Sequence, residues 1–441
     1  MASVLRTHND YTDRAPVPGY STGISDFFPR PKLRVVEGSM IDKDVFEIPS
    51  INGGTNGEVE GSFAEFRYPG HEKGYLDLSR LVLKVSGQVT KEDGKPLADT
   101  DSVSLIDGFV YGLIKSITIH LNDHQVDLNP IHCYAAYVNM VTTMNPHLSP
   151  SLGKCIGFNN EKIPSVITEA HMTKIKDEIT SLRSHGFNFT TPLTCEVGGS
   201  DMYLFSNVSL RVKIEFNNDS FVLNTPTDGF HPRLKITDCR LQLTTRLPRI
   251  EAHTALLRAM RNAPLSYVYP KTLHKNYILP ANQSSLNMDY PFGKIIPETM
   301  YVFMVSMDSA NGNYKKNPFF FHHNNLKSLQ VYKDNKNVYD VACSFPGKCS
   351  DFYFKTLDSL GLETFHGLTF DRFIDGKTIA VISLEPEKLR DVIPIEKDGN
   401  LRLSLHLSQP STENIIVYIL GSTTGVFYID EGLNVYTDTR S

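Results

Sequence analysis

Ile114-Lys115-Ser116-Ile117-Thr118-Ile119, followed by the polar turn Asn122-Asp123-His124-Gln125 and then Val126, aligns without a gap on a later stretch. That stretch is Leu326-Lys327-Ser328-Leu329-Gln330-Val331, followed by Asp334-Asn335-Lys336-Asn337 and Val338. Each copy reads as strand, turn, strand, because alternating apolar residues run into a cluster of Asn and Asp. The offset, 326 minus 114, is 212 positions. A second pair, Leu210-Arg211-Val212-Lys213-Ile214-Glu215-Phe216 and Leu401-Arg402-Leu403-Ser404-Leu405-His406-Leu407, follows in the same order at an offset of 401 minus 210, or 191. Two pairs in one order predict two β-domains of one topology in a single chain.

Period-two patterning extends outward from these pairs. Leu81, Leu83, Val85 and Val89 alternate with Val82, Lys84, Ser86 and Gln88, and the strand Phe63 to Tyr68 before them ends at Pro69-Gly70. The same succession is read at the start of the second half, in Asn276 to Pro280 and then Tyr301 to Val305. Leu210, Val212, Ile214 and Phe216, and Leu401, Leu403, Leu405 and Leu407, each predict one dry face and one wet face, as in antiparallel sandwiches. Ile415 to Leu420 and Val426 to Ile429 are apolar at successive positions and are expected to be buried on both faces, with Gly421 to Gly425 as a turn between them.

Helical spacing is sparse. Met172, Ile175, Ile179 and Leu182 predict one short amphipathic helix in a long loop, and Cys133 to Val141 a second. Ile250 to Arg261, stopped by Pro264, predicts a helix that joins the two halves. The expected organisation is an extended N-terminal arm over 1–45, a first β-domain over 46–248, a linker helix over 249–264 and a second β-domain over 265–441. The arm is placed by prolines, as in Arg14-Ala15-Pro16-Val17-Pro18-Gly19 and Phe28-Pro29-Arg30-Pro31-Lys32, which forbid helix and interrupt ladders.

At 441 residues the chain exceeds what one hydrophobic core supports and suits two domains of about 200 residues each. A 40% apolar and 21% charged composition is that of a globular protein, and a net charge of −5 argues against binding phosphates over the whole surface. Sequence-specific nucleic-acid binding is not expected. No apolar run reaches the roughly 18 to 20 residues that span a bilayer, so a soluble protein without membrane insertion is expected. The six cysteines, Cys133, Cys155, Cys195, Cys239, Cys343 and Cys349, form no C-x-x-C pair and are expected as free thiols in a reducing compartment. The glycosylation-type triplets at Asn188, Asn207, Asn218 and Asn282 are then chance occurrences.

No motif demands catalysis. Gly376-Lys377-Thr378 ends like a phosphate-cradling loop, but Asp371 stands where the earlier glycine is required. His322 and His323 are adjacent, and neighbouring strand residues face opposite ways, so the two do not readily share a metal ion. Asp351, Asp371 and Asp375 lie near aromatic residues, as a glycosidase acid would, but loop carboxylates of this kind are ordinarily solvated or turn-forming. Cys343 and Cys349 have no evident histidine partner. The expectation is a protein with no catalytic residue, no cofactor and no metal.

Three stretches carry a resemblance. Tyr75-Leu76-Asp77-Leu78 through Val89, then Val110 to Asn122, then Asn317-Pro318-Phe319-Phe320-Phe321-His322-His323-Asn324-Asn325-Leu326 with Val331-Tyr332, resemble the major capsid protein of Polinton (Maverick) elements and adintovirus-like viruses. The family's Y-x-D-L strand, its hairpin and its K-N-P-F segment occur in the same order between about residues 60 and 340. The hairpin Ser116 to Asp123 departs at the family's acidic position, and residues 341–441 match in pattern only. The resemblance implies an all-β tandem double jelly roll: two eight-stranded antiparallel β-sandwiches with a few short helices in loops and linker.

It further implies a homotrimer forming a pseudo-hexameric capsomer, contacts with neighbouring capsomers, and penton and minor capsid proteins reached through the N-terminal arm. Its place would be the virion capsid, assembled in the nucleus or cytoplasm of a host cell. Duplication is an independent reason to expect this, since two similar domains in each of three chains present six similar units to a hexagonal lattice. Over residues 1–36 the arm carries Arg6, Arg14, Arg30, Lys32 and Arg34 against Asp10, Asp13 and Asp26, a slight basic surplus that suits an inward position near DNA. The alternative is a monomeric double jelly-roll protein that binds or processes glycans, its Tyr and Phe lining a sugar groove. Against it stand the absence of Trp and of a clear carboxylate pair.

Overall fold

Alternation along the strands builds four arrays of four principal strands each, two in each half of the chain, with Tyr75–Leu76 and Val435–Thr437 as short fifth strands on two of them. The computed structural model describes residues 40–53, 59, 61–72, 74–143, 151, 153–158, 163–200, 202–361, 367–384 and 397–437. In the first half the strands are β1 (Met40–Pro49), β2 (Phe63–Tyr68), β3 (Val82–Thr90), β4 (Ile114–Leu121), β5 (His124–Asn129), β6 (Phe187–Pro192), β7 (Leu210–Phe216) and β8 (Arg233–Pro248). They pair in the orders β1-β8-β3-β6 and β2-β7-β4-β5. In the second half they are β9 (Leu265–Leu279), β10 (Ser285–Asp289), β11 (Thr299–Ser306), β12 (Leu326–Lys333), β13 (Lys336–Ala342), β14 (Ile379–Ser383), β15 (Leu401–Leu407) and β16 (Ile415–Ile429). Their orders are β9-β16-β11-β14 and β10-β15-β12-β13. Adding eight to each label of the first half gives the second half, all pairings being antiparallel. This is the strand order of an eight-stranded jelly roll, formed twice.

The duplication reaches single residues. Both hairpins turn through two residues in the left-handed region, Asn122 and Asp123 in the first, Asp334 and Asn335 in the second, as a two-residue hairpin turn requires. Ladder irregularities recur at the 212 offset as well. The β4–β5 register shifts between Ile119 and His120, and the β12–β13 register between Val331 and Tyr332. Likewise β4–β7 shifts at Ile114/Ser116 and β12–β15 at Leu326/Ser328.

Strand facing follows the pattern. Leu83, Val85 and Val89 of β3, and Leu210, Val212, Ile214 and Phe216 of β7, are buried. So are Leu401, Leu403, Leu405 and Leu407 of β15. Three expectations need correction. Asn276 to Leu279 ends β9, the first strand of the second roll, so the counterpart of Phe63 to Tyr68 is Ser285–Asp289, whose single buried residue, Met288, leaves a weak apolar signal. Residues 40–45, assigned to the arm, already form strand: Asp42 to Val45 pair with Leu247 to Thr244 of β8. Residues 1–39 lie outside the described residues.

The third correction concerns Gly421 to Gly425, which is no turn but the middle of a continuous fifteen-residue strand, paired with β9 throughout. Here glycine serves close approach: a Cβ on Gly425 would sit 2.7 Å from the Tyr269 ring, and one on Gly421 would sit 2.9 Å from Phe292.

Helices fill the long loops. Cys133 to Val141 lies within α1 (His132–Thr143), which is buried nearly all round. The amphipathic segment forms two helices, α2 (Glu169–Lys174) and α3 (Lys176–His185), because Ile175 leaves helical geometry between them. The linker forms α4 (Ile250–Met260), with Leu256 and Met260 buried. Two further helices, α5 (Ser350–Leu360) and α6 (Phe370–Ile374), precede β14. Among the described residues no helix is long and apolar enough to cross a membrane.

Candidate functional site at the seam between the rolls

The two rolls do not keep separate interiors; one contiguous buried apolar cluster runs through both. The join is made by α1, which leaves the first roll after β5 and lays its rings on the second. Tyr134 lies 4.6 Å from the ring of Tyr418 on β16 and 5.9 Å from Phe303 on β11. Phe303 and Tyr418 are register partners and so share a face. Val417 and Ile419, also unexposed, take the opposite face by the period of two. This explains the unbroken apolar run of β16: one face meets its own roll and the other meets the neighbouring roll.

Deeper in the seam, Tyr137 of α1 stacks on Phe319 at 3.9 Å, with Phe321 edge-on at 6.0 Å. Lys377 Nζ enters this aromatic box, 4.5 Å above the Tyr137 ring. It donates to Tyr137 Oη at 2.5 Å and to the Phe319 carbonyl at 2.8 Å. Tyr137 Oη in turn donates to Asp107 Oδ2 at 3.1 Å. A chain of hydrogen bonds thus links a cation of the second roll to a carboxylate of the first. Burial pushes the Lys377 amine down to about 8, Arg372 pushing the same way and Asp107 opposing.

A second polar contact crosses the seam where the turn Glu196–Gly199 meets β9. Asp127 Oδ2, on β5, accepts from the Glu196 amide at 2.9 Å, and Glu196 Oε1 accepts from the Thr272 amide of β9 at 3.0 Å. Tyr269 of β9 donates its hydroxyl to the Val126 carbonyl at 3.0 Å. Burial raises both carboxyl groups above the ordinary range, and the charge of Asp127 further disfavours ionisation of Glu196.

The residues weighed from sequence fall in separate places. The lysine of the Gly376-Lys377-Thr378 segment is taken up by the seam. His322 packs on Phe320 and His323 stacks on Phe345, each 4.5 Å between centroids, so the two rings have different surroundings. Asp351 and Asp371 lie in the first turns of α5 and α6, where the helix dipole favours carboxylates, and Asp375 closes α6. Asp351 pairs with Lys355 at 2.9 Å.

All six cysteines are free thiols. Cys343 donates to the Leu326 carbonyl at 3.1 Å, and burial pushes it up to about 12, far from a nucleophile. Sequence reasoning missed Lys377, Tyr137, Asp127 and Glu196. The stacked seam rings Tyr134, Tyr137, Phe319 and Phe321 are buried, and so line no sugar groove.

A seam of this kind joins two sandwiches through one shared interior. That is the property of the double jelly roll, the fold defined by the two matched sheet pairs and their shared interior. Known structures have the same fold over nearly the whole chain. The Faustovirus major capsid protein aligns at a TM-score of 0.56 with 9% identity, covering 87% of this chain and 90% of that one. The mavirus major capsid protein aligns at 0.52 with 10% identity, covering 99% and 96%. A chain of the Sputnik virophage aligns at 0.58 with 11% identity, covering 99% and 93%. No family model and no curated protein matches the sequence.

Proposed function

We propose that the chain is a major capsid protein, a structural brick in which two jelly rolls held at a fixed angle by the seam present near-equivalent walls to their neighbours. The observation that carries this reading is the repetition of one eight-stranded topology, down to the positions of its bulges, within a chain that aligns end to end with the mavirus major capsid protein. Three such chains give a capsomer with six similar units, which tiles a hexagonal shell. The sequence resemblance supports the Polinton and adintovirus-like lineage, the division into rolls joined by α4, and an N-terminal arm that reaches penton or minor capsid proteins. The virion is then its place, after assembly within a host cell. No catalytic residue enters this reading.

A permanent trimer interface buries on the order of 2,000 Å² or more. Light scattering on purified protein, followed by negative-stain imaging, tests the reading. Three times the 49.5 kDa chain mass and a hexagonal outline are expected. A monodisperse monomer that forms no capsomer at any concentration would overturn it.

A further inference from the structure

Strand β13 ends at Ala342 and helix α5 begins at Ser350, and the short segment between them carries two of the free thiols, Cys343 and Cys349. Within it the chain folds back on itself. The Ser344 amide donates to the Lys348 carbonyl at 2.9 Å, and the Lys348 amide to the Ser344 carbonyl at 2.7 Å. Exchange of both bonds makes Ser344 and Lys348 a hydrogen-bonded antiparallel pair, so Cys343 and Cys349 take the next, non-hydrogen-bonded position of the same bridge. Burial agrees with that placement. Ser344 and Lys348 are exposed, whereas Cys349 is buried and Cys343 half-buried, as side chains on the opposite face should be. Residues facing each other at such a position have Cα atoms about 4.5 Å apart, within the roughly 4.4–6.8 Å that a disulfide spans.

The turn is held from outside. Phe345 stacks on His323 at 4.5 Å and packs against Phe352 of α5 and Phe373 of α6, each 6.3 Å between centroids. Cys343 is anchored by its own amide, which donates to the Lys327 carbonyl of β12 at 2.9 Å. Its thiol donates to the Leu326 carbonyl at 3.1 Å and that of Cys349 to the Pro346 carbonyl at 3.3 Å, weak bonds that a covalent one readily replaces.

We propose that Cys343 and Cys349 are a paired redox site, free thiols in the reduced protein and closed into a disulfide by a low-molecular-weight disulfide such as oxidised glutathione. The exchange balances in two steps. Cys343, the more exposed of the two, gives its thiol proton to solvent, and its sulfur attacks one sulfur of oxidised glutathione, breaking that S–S bond and expelling a glutathione thiolate. The Cys349 sulfur, likewise deprotonated, then attacks the Cys343 sulfur of the mixed disulfide and expels the second glutathione. Two cysteine thiols are oxidised, one glutathione disulfide is reduced, and the two protons end on the departing thiolates. Burial holds the Cys343 thiol at about 12, so the exchange is slow at neutral pH and quickens with alkali.

The bond ties the end of an edge strand to the first turn of α5. It goes beyond the capsid reading and stands without it. On that reading, a shell that leaves a reducing cell for an oxidising medium acquires the bond in each of its chains.

Trypsin reads the linkage directly, because Lys348 lies between the two cysteines. Full-length protein is held in oxidised glutathione at mildly alkaline pH until its thiol content stops changing, capped with N-ethylmaleimide in urea, and digested without reduction. Peptides 337–348 and 349–355 should run as one linked species that dithiothreitol separates. Cys155, which is exposed, reports by its own glutathione adduct that the oxidant was active. The two peptides unlinked in a sample whose Cys155 is modified overturn the proposal, as does Cys343 joined to any other cysteine. In Cys349→Ser the second step is blocked, so Cys343 should accumulate as a glutathione adduct that wild type lacks; equal amounts of adduct in both overturn it too. If the variant does not fold, the wild-type linkage decides alone.

Discussion

Leu403 shows how completely one position can be committed to the interior. It has no exposed surface and pairs across β15 with Met288 on one side and Val331 on the other, both equally buried. Leu403→Asp places a charge among apolar partners with nothing to pair it, and a loss of about 3–5 kcal/mol is expected in urea unfolding. An unchanged midpoint would show that the side chain does not face the core. Lys377 is the opposite case: a charged residue in an unremarkable Gly-Lys-Thr string that is tolerated inside because two acceptors and an aromatic face receive its amine. No local pattern reveals such a residue. Its partner Tyr137 lies 240 positions away, and the sequence around either residue is compatible with exposure.

Strands and helices divide along the same line. The hairpins Ile114 to Asn129 and Leu326 to Ala342 were legible because a turn chemistry that tolerates positive φ interrupts a period of two, and both signals are local. The break in β16 was misread because glycine in a strand signals either a turn or a close neighbour, and only the neighbour's position separates the two. Gly425→Ala distinguishes them by sign. Strand propensity favours alanine over glycine, yet the Tyr269 ring, held by its hydroxyl on Val126, leaves no room for a methyl group. A loss of about 1–3 kcal/mol in thermal unfolding is expected; a gain would mean that the ring yields. The α2–α3 break at Ile175 was likewise invisible, since apolar spacing continues across it while the backbone does not.

For the whole molecule, the useful boundary is where chain stops contributing to a ladder. Deletion of residues 1–39 spares every described strand, so melting should be unchanged, and on the capsid reading proposed above the shortened chain should still form capsomers that no longer close into shells. Shells of normal size from the shortened chain would remove any assembly role for the arm. Deletion through Pro49 takes away β1, the ladder partner of β8 from Leu247 to Arg240, and melting should then fall.

What the sequence alone determined is the succession of strands, their inward faces, the double occurrence of one hairpin and the linker helix. Each depends on interactions between residues close in the chain or on a binary choice between water and interior. The tertiary structure decided what covers each buried face and which polar groups are enclosed together. Burial patterns carry no address: a buried tyrosine reads the same whether its own roll or the neighbouring one covers it. The seam brings Asp127 to Glu196 and Glu196 to Thr272, across 69 and 76 positions of sequence, and the upward shift of both carboxyls follows from enclosure that only the packed fold creates.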